Sequence, residues 1–265
     1  MSQVEIHSHA LVHPEAKIGT NVKIGPFCSI GPNVEIGDNT VLHSHVVVEG
    51  HTKIGANNKF FQFCSIGAPP QDNSYKGEPT RVEIGDNNTF REYVSIHRGT
   101  LKQDGLTKIG SNSLFMAYTH FGHDVTVGNN ITVANSSNFA GHVTIGDRVI
   151  IGGGTMVSQF VTIGRGAYIG GGSGIDKDIP PFFTAYGNRI KIKGINIIGL
   201  KRQGHDKQAI SDLVDFVRML EANTLSPRAF VDHTELMSDY VNATLVKEIA
   251  EFIKKSEIGI PPFMA

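Results

Sequence analysis

Apolar residues recur at every sixth position through most of this chain. If the central apolar residue of each hexad is called position i, it falls at 24 sites in three runs, 18–66, 84–96 and 109–175. Position i−2 is Ala, Val, Cys, Ser or Thr in all hexads except those with Asn58, Asn88 or Ile131. Because side chains alternate along a strand, positions i−2 and i lie on one face. The pattern therefore predicts a long series of short strands with one buried face.

Glycine and asparagine mark the ends of these strands. Position i+1 is glycine in 14 hexads, and position i+3 is asparagine in seven. Both residues tolerate the left-handed backbone region, and glycine also permits close backbone approach. Each hexad is therefore predicted to be one short strand followed by one tight turn.

A six-residue period excludes the other regular structures. It does not match the period of an α-helix, and six residues leave no room for a returning strand in a hairpin sheet. What remains is a solenoid whose chain turns a corner after every hexad. Three hexads closing one triangular coil of 18 residues is the simplest solution. The spacing leaves the handedness of the coil open.

The hexads are interrupted twice and then stop. Insertions at 69–81 and 100–106 are predicted to be loops, which are either surface decoration or part of a functional face. Beyond residue 189, the apolar residues from Ile210 to Leu220 and from Val246 to Ile253 follow helical spacing, and "SPRAF" offers Ser226 as an N-cap. We predict a β-solenoid domain over 1–189 and a helical domain over 190–265.

Composition restricts the class of partner. The formal charge is −1 and the pI is near 6.9, which argues against a protein that binds nucleic acid or an anionic membrane through bulk charge. No apolar run approaches the length of a membrane span, and the first residues carry no export or organelle signal. We therefore expect a cytoplasmic protein.

The two cysteines test the stacking of coils. Cys28 and Cys64 both occupy position i−2 and are separated by two coils, or about 9–10 Å at the usual strand spacing. A disulfide cannot span that distance. Both thiols are predicted to be small, buried core residues.

The stretch "THFGHD" adds two histidines to the repeat. With 18 residues per coil, the outward column through His123 contains Arg98 one coil below, Gly141 one coil above and Gln159 two coils above, with His142 beside Gly141. His120 lies on the other side of Phe121, the central residue of that hexad. Spacing alone therefore brings three histidines together on the outside of the prism.

Three explanations fit this group of histidines. They can be ordinary solvated surface residues, zinc ligands as in the carbonic anhydrases of the same repeat class, or a general base with Asp124 as its carboxylate partner. The His-x4-His spacing of those zinc enzymes does not occur in the sequence, so no metal and no other cofactor is predicted. Since a flat prism face does not exclude water, a base there requires a second surface, which predicts an oligomer with clefts between its subunits.

The sequence resembles a known enzyme family. The repeat itself is similar to the hexapeptide-repeat proteins, which are left-handed parallel β-helices shaped as triangular prisms. The segments "IGPFCSIGPNVEIG", "GEPTRVEIGD", "HFGHDVTVGN" and "GINIIGLKRQG" resemble the acyl-carrier-protein-dependent UDP-N-acetylglucosamine O-acyltransferases of lipid A biosynthesis. This resemblance runs through nearly the whole chain, including the helical tail.

The resemblance implies an activity and a set of site residues. A homotrimer with active sites between its subunits would transfer an (R)-3-hydroxyacyl group from acyl carrier protein to the 3-hydroxyl of UDP-N-acetylglucosamine. His123 would be the general base, Asp124 its orienting partner, and the Gly141 N–H the oxyanion donor. Substrate-binding roles are implied for eight further residues, of which Gly171 would set the acyl length: Asp72, His120, His142, Ser158, Gln159, Gly171, Asn196 and Arg202.

Three departures from the family pattern bear on the acceptor. Ser158 replaces a usual histidine, Ile198 a frequent glutamate, and Gln203 a common second arginine. The alternatives are a related N-acyltransferase acting on an amino-sugar nucleotide, a zinc-dependent hydratase, or a scaffold without activity. Because acyl carrier protein is acidic, a basic docking patch is expected at the following residues: Arg165, Lys191, Lys193, Lys201 and Arg202.

Overall fold

The computed structural model describes residues 4–264, which form short strands and, near the end, helices. The strands of the first half are β1 (Glu5–Ile6), β2 (Leu11–Val12), β3 (Lys17–Ile18), β4 (Lys23–Ile24), β5 (Ser29–Ile30), β6 (Val34–Ile36), β7 (Val41–Leu42), β8 (Val47–Val48), β9 (His51–Ile54), β10 (Lys59–Phe60), β11 (Ser65–Ala68), β12 (Arg81–Ile84), β13 (Thr89–Phe90) and β14 (Ser95–His97). Those of the second half are β15 (Leu106–Ile109), β16 (Leu114–Phe115), β17 (His120–Phe121), β18 (Thr126–Val127), β19 (Thr132–Val133), β20 (Asn138–Phe139), β21 (Thr144–Ile145), β22 (Ile150–Ile151), β23 (Met156–Val157), β24 (Thr162–Ile163), β25 (Tyr168–Ile169), β26 (Gly174–Ile175), β27 (Phe183–Tyr186) and β28 (Lys191–Ile195).

Every third strand joins the same parallel sheet, so the strands form the three walls of a prism. Sheet A runs from β1 through β4 and β7 to β25, β27 and β28, sheet B from β2 to β26, and sheet C from β3 to β24. Phe121 pairs with Phe139, which confirms the predicted coil of 18 residues. The predicted left-handed parallel β-helix with helices after it is confirmed.

Most corners of the prism are turned by one residue with left-handed backbone angles at position i+3. Six of the seven asparagines lie at the corner between sheets C and A and have positive φ, from 55° to 59°, as predicted. The exception is Asn33, which lies between sheets B and C. At the corner between sheets A and B the same conformation is adopted by Phe27, His45, Phe63, Tyr93 and Tyr118. A bulky side chain at such a corner points away from the prism, so the left-handed turns decide which residues line the outer edges.

Stacked phenylalanines fill the middle of the prism. Phe60, Phe90 and Phe115 follow one another on sheet A, and Phe121 and Phe139 on sheet B, with neighbouring ring centroids 4.6 to 5.2 Å apart. All five are fully buried. Burial of each ring contributes roughly 2–3 kcal/mol by apolar area, so this ladder is a main source of stability for the coils that carry the site.

The two asparagines at inward positions form a buried ladder of their own. Asn58 accepts a bond from the backbone N–H of Asn88 at 2.9 Å and donates to Gly85 O at 2.8 Å. Asn88 in turn accepts from Ser113 N at 3.0 Å and donates to Gly110 O at 2.9 Å. These side chains satisfy backbone groups at the corner between sheets C and A, which explains why polar residues occupy the core there.

Both cysteines are free and buried, as predicted. Cys28 donates to His43 O at 2.8 Å, and burial raises the pKa of Cys64 to about 12. A thiol with so high a pKa is unreactive at neutral pH. The cysteines therefore act as core residues.

The helices follow the last strands. They are α1 (Ile197–Arg202), α2 (Lys207–Ala222), α3 (Pro227–Asp232), α4 (Thr234–Met237), a short 3-10 helix (Ser238–Tyr240) and α5 (Thr244–Lys255). The predicted apolar faces are buried in α2 and α5, and Ser226 caps α3 by accepting from Ala229 N, which confirms those three predictions. Among the described residues, we find no helix with the length and hydropathy needed to cross a bilayer.

The helices contact the C-terminal end of the prism. The guanidinium of Arg165 donates two bonds of 2.6 Å to the carboxylate of Glu248 on α5, and Ser256 donates to Asp178 at 2.6 Å. Sheet A continues to Ile195 through the antiparallel strand β28. The domain boundary at 189/190 stays a prediction, and residues 1–3 and 265, which the predicted domains include, lie outside the described residues.

Removing the side chain of Asn88 should destabilise the prism, because Gly110 O and Ser113 N would lose their partner. At about 1–3 kcal/mol per unsatisfied buried group, we expect Asn88→Ala to lower the free energy of unfolding by roughly 2–4 kcal/mol, measured by urea denaturation. Lys53→Ala, at an exposed position of sheet C, is the control and should change it by about 0.5 kcal/mol or less. Equal effects of the two substitutions would contradict the structural role of the ladder.

Candidate active site

Three successive coils bring parts of one site to the same corner, between sheets B and C. A first excursion loop (residues 69–80) leaves after β11, a second excursion loop (residues 98–105) leaves after β14, and the turn with His123 and Asp124 follows β17. Strands β11, β14 and β17 are neighbours in sheet B. Both loops therefore reach the turn that follows β17 and cover it.

The imidazole of His123 is held by Asp124. The distance from His123 Nδ1 to Asp124 Oδ2 is 2.8 Å. Asp124 also accepts from the backbone N–H and the hydroxyl of Thr100 at 2.8 and 2.7 Å, and its own N–H donates to Thr107 Oγ1 at 2.8 Å. A carboxylate in this position stabilises the tautomer with the proton on Nδ1. Nε2 of His123 then carries a lone pair that can accept a proton.

Gly141 lies directly over this imidazole. A Cβ atom at position 141 would lie 2.7 Å from His123 Nε2, so any side chain there would displace the ring. Within the described chain the N–H of Gly141 donates to no backbone or side-chain acceptor. The column of His123 and Gly141 predicted from the 18-residue period is present, and Gly141 is buried against the imidazole.

Asp72 comes from the first excursion loop and approaches Nε2 of the His123 ring. Its Oδ2 atom is 4.0 Å from His123 Nε2 and 2.6 Å from Lys102 Nζ. Oδ1 accepts two bonds from Ser74. The hydrogen bond from Lys102, followed by those from Ser74, holds the pKa of Asp72 well below its usual range. Asp72 is therefore ionised next to His123.

His142 lies one coil above and completes the wall. Its ring centroid is 5.1 Å from that of His123, and its Nε2 is 3.7 Å from Asp124 Oδ2. Nδ1 is 2.9 Å from Gln103 Oε1 of the second excursion loop. Burial lowers the pKa of His142, so the imidazole is neutral at neutral pH and donates its Nδ1 proton to Gln103.

Two further histidines extend the site along sheet B. His120 lies near His123 across Phe121, as the spacing predicted, and its Nδ1 is 2.8 Å from Ser95 Oγ. His97 packs edge-on against His120 at 4.8 Å, and its buried Nδ1 has no partner among the described residues. Burial lowers the pKa of His97 to about 4 and also lowers that of His120. Both rings are neutral at neutral pH.

The excursion loops change the environment expected for the base. His123 was expected on a flat outer face that only a second subunit could cover, but it is 6% exposed and Asp124 is 2% exposed within the single chain. Asp72 of the first loop lies 4.0 Å from His123 Nε2, and Thr100 of the second loop donates two bonds to Asp124, so both loops contact the pair. Water is therefore already partly excluded before any partner binds.

A groove of about 620 Å³ runs along sheet B from this site. The predicted residues His120 and Ser158 line it, with Asn138, Met156, Gly172 and Arg189. Gln159 is exposed two coils above His123. Gly171 itself faces the backbone of Gly153, where a Cβ would lie 3.0 Å from the carbonyl oxygen. It adjoins the groove next to Gly172.

Two predicted residues lie on another face of the prism. Asn196 caps α1 by accepting from Gly199 N at 2.9 Å, and with Arg202 it lines a cavity of about 630 Å³ over sheet A. Ile198 and Gln203 line the same cavity. Within residues 4–264, this cavity shares no lining residue with the groove on sheet B. A single chain therefore does not bring Asn196 and Arg202 to the histidines.

The ligand atoms of His123, Asp124 and His142 lie within 4.8 Å of one another, close enough to hold a metal ion. The bonds already made argue for another use. The Asp124 carboxylate accepts from Thr100 and from His123, and Nδ1 of His142 bonds to Gln103. Oriented hydrogen bonds of this kind suit a proton-transfer site better than a metal centre.

Sequence reasoning missed several residues that hold the site together, among them Ser95, His97, Thr100, Lys102 and Gln103. A usable signal was present. The insertions follow the hexads centred on Ile66 and Ile96, and the hexad centred on Phe121 is the next in the same sheet. Counting hexads in threes would have directed both loops toward His123.

Comparisons with known proteins agree with this architecture. A family model described as UDP N-acetylglucosamine O-acyltransferase, domain 2, matches residues 178–261, and one for bacterial transferase hexapeptides matches residues 3–37, 15–50 and 142–177. The chain is 45% identical over 192 residues to the acyl-[acyl-carrier-protein]–UDP-N-acetylglucosamine O-acyltransferase of Thermodesulfovibrio yellowstonii, covering 72% of this chain and 74% of the relative.

Solved structures match over almost the full length. The structure of LpxA from Acinetobacter baumannii has a TM-score of 0.93 at 44% identity, covering 97% of this chain and 99% of the other. A UDP-N-acetylglucosamine acyltransferase from Bacteroides fragilis has a TM-score of 0.92 at 39% identity, covering 96% and 99%. The likeness therefore includes both the prism and the helices.

The buried neutral histidines should make stability depend on pH. The unfolded chain takes up a proton on His97 near its ordinary pKa of 6.5, whereas the folded chain does so only near 4. Stability is therefore fully present above pH 6.5 and lost as the pH falls toward 4, by about 1–3 kcal/mol. Urea denaturation across this range should show a shallower pH dependence for His97→Leu than for the unaltered protein, and equal slopes would contradict the assignment.

Proposed function

This chain belongs to the family of acyl-[acyl-carrier-protein]–UDP-N-acetylglucosamine O-acyltransferases, and from this premise we propose how it carries out the reaction. It transfers an acyl group from acyl carrier protein to UDP-N-acetylglucosamine, in lipid A biosynthesis. We infer that the acyl group is an (R)-3-hydroxyacyl chain and that the acceptor atom is the 3-hydroxyl oxygen.

His123 acts as the general base. Its Nε2 takes the proton from the acceptor hydroxyl as that oxygen attacks the thioester carbonyl carbon. The carbonyl oxygen becomes an oxyanion, which accepts a bond from the N–H of Gly141. The intermediate then collapses, the C–S bond breaks, and His123 returns the proton to the departing thiolate of the carrier protein. The products are an ester and a free thiol, with no group left on the enzyme.

One observation carries this proposal. Asp124 engages Nδ1 of His123 at 2.8 Å, which leaves Nε2 free, and Gly141, whose N–H donates to no acceptor among the described residues, lies over the same ring. A base and an oxyanion donor are thus within one substrate's reach. The Asp72 carboxylate beside Nε2 can accept a bond from the acceptor sugar, and His120 and His142, as neutral imidazoles, can position it.

The groove on sheet B suits the acyl chain. It starts at His120 and continues past Met156 to Gly172, and a row of small residues keeps it open. The thioester carbon lies near His123 when the chain occupies this groove. Gly171, next to Gly172, stays our prediction for the position where side-chain bulk limits chain length.

The cavity on sheet A suits the nucleotide. Asn196, Arg202 and Gln203 offer polar groups there, while Ile198 adds apolar surface. Ser158 on the sheet B groove contributes a small hydroxyl. Ser158, Ile198 and Gln203 depart from the family pattern, so an amine acceptor is the alternative to be tested. The hydrogen bonds around Asp124 disfavour a zinc hydratase.

The groove on sheet B of one subunit and the cavity on sheet A of another come together in a homotrimer. Along the corner between sheets A and B runs an aromatic edge made of Phe27, His45, Phe63, Tyr93 and Tyr118, with centroids 4.8 to 5.0 Å apart. Four of these side chains are 44% to 57% exposed. An exposed aromatic stripe of this length is typical of a subunit contact.

The charges on sheet C agree with a threefold axis that runs along the aromatic edge. Outward positions on sheet C alternate in charge along five strands, from Lys17 to Lys108, as expected for a solvated face. Three corners of roughly 60° placed around a threefold axis leave three clefts, each between sheet A of one subunit and sheet B of the next. Asn196 and Arg202 of one subunit then face the histidines of its neighbour.

Carrier protein docks, in our proposal, on the basic residues of the tail. Lys191, Lys193, Lys201 and Arg202 are exposed. Arg165, which was expected in the same patch, instead pairs with Glu248 and lies over the Phe182 ring, so its charge is neutralised. Location in the cytoplasm, where an acyl donor of this kind would be met, stays a prediction.

Turnover should require His123. With an acyl carrier thioester and UDP-N-acetylglucosamine, we expect the ester product by mass spectrometry and a loss of about 10²-fold or more in kcat for His123→Ala. A panel of thioester lengths, each with the 3-hydroxyl or the 3-amino acceptor, identifies the preferred substrates. His51→Ala, an exposed histidine of sheet C, should retain activity. Unchanged turnover of His123→Ala would exclude the base, and product with the amine alone would reassign the acceptor.

Charge on the aromatic edge should break the trimer. Tyr118 is 57% exposed in the single chain, so Tyr118→Asp should fold but sediment as monomers and lose activity, because each site needs two subunits. Analytical ultracentrifugation measures the mass. Thr144→Asp introduces the same charge on sheet C and should remain trimeric. A fully active, trimeric Tyr118→Asp would place the subunit contact elsewhere.

A further inference from the structure

The second excursion loop is tied to the site at three points. Thr100 donates two bonds to Asp124, Lys102 Nζ is 2.6 Å from Asp72 Oδ2, and Gln103 Oε1 is 2.9 Å from His142 Nδ1. Gly99 permits this approach, since a Cβ there would lie 2.7 Å from Asp124 Oδ1. Four of the five positions from 99 to 103 are thus shaped to the residues around His123.

Lys102 is the charged member of this loop. Its side chain is 53% exposed, whereas that of Asp72 is 11% exposed, so the ion pair forms the rim of the site. The two partners come from different excursion loops, and the pair joins the loops across the opening. The same Oδ2 atom that accepts from Lys102 lies 4.0 Å from His123 Nε2.

Several other ionisable groups surround His123. They are Asp124 on the same turn, His142 one coil above, and His97, Arg98 and His120 on the neighbouring strands. The three other histidines are neutral, because burial lowers the pKa of each. Two carboxylates are therefore within reach of His123, and Lys102 directly pairs with one of them.

We propose that Lys102 is a positioning residue for the transfer reaction: its ammonium fixes the Asp72 carboxylate and offsets that charge beside His123. The inference rests on the proposed function of His123 as the base. An uncompensated carboxylate next to Nε2 would favour the protonated imidazole, which cannot accept a proton from the acceptor. With Lys102 present, Asp72 can accept a bond from the sugar while the His123 imidazole stays unprotonated.

The test is the pH dependence of kcat/KM for Lys102→Met. Without the ammonium, the acid limb should move to higher pH by roughly half to one unit, the size expected for one charge acting through one intervening group. At pH values well above the acid limb, kcat/KM of Lys102→Met should return to near that of the unaltered protein. Lys102→Arg restores the charge and should restore the profile, and Lys108→Met, an exposed lysine on sheet C, is the control for the loss of a charge.

A double substitution shows whether Lys102 acts through Asp72. In an Asp72→Asn background, adding Lys102→Met should cause no further shift of the limb. An unchanged profile for Lys102→Met overturns the proposal, and so does a raised KM for the nucleotide at constant profile, which would mean direct contact with the substrate. If the unaltered protein itself transfers no acyl group to UDP-N-acetylglucosamine, the proposed function fails instead, so the two failures are distinguishable.

Discussion

Every coil of this prism closes through corner residues held in left-handed backbone angles, and the site depends on that closure. Because the coil length is fixed, a residue at one corner lies over the residue 18 positions earlier, as Phe139 pairs with Phe121. The same rule carries Gly141 over His123. A rigid stack of backbone turns thus sets the separation between the His123 imidazole and Gly141, which a flexible loop would set with far less precision.

Two departures from the repeat turn this scaffold into a site. A regular prism exposes its outer positions, and an exposed imidazole is surrounded by water. The excursion loops leave from the same corner in two consecutive coils and close over the third, so that Asp72 and Thr100 reach His123 and Asp124 from below. The coils provide the spacing, and the loops provide burial, charge and hydrogen bonds.

The helical tail and the outer faces of the prism hold two further features, namely the cavity near Asn196 and the aromatic edge. Contacts such as the pair between Arg165 and Glu248 attach the helices to the end of the prism and leave the cavity near Asn196 open. Since this cavity and the histidines lie on different faces, substrate must bridge two chains or the two features are unrelated. The exposed aromatic edge between the two faces favours the first arrangement.

The sequence by itself determined the coil, the strand positions, the corners with asparagine and the column of His123 and Gly141, because all of these follow from a strict period that local backbone preferences enforce. It also determined the Ser226 cap of α3 and the apolar faces of α2 and α5. Only the tertiary structure decided where the irregular parts lie: that Lys102 meets Asp72, that Gln103 meets His142, and that Nδ1 of His97 is buried with no partner in the part of the chain that the structure describes. Loops have no period, so their contacts depend on the surfaces over which they close, and those surfaces exist only once the coils have stacked.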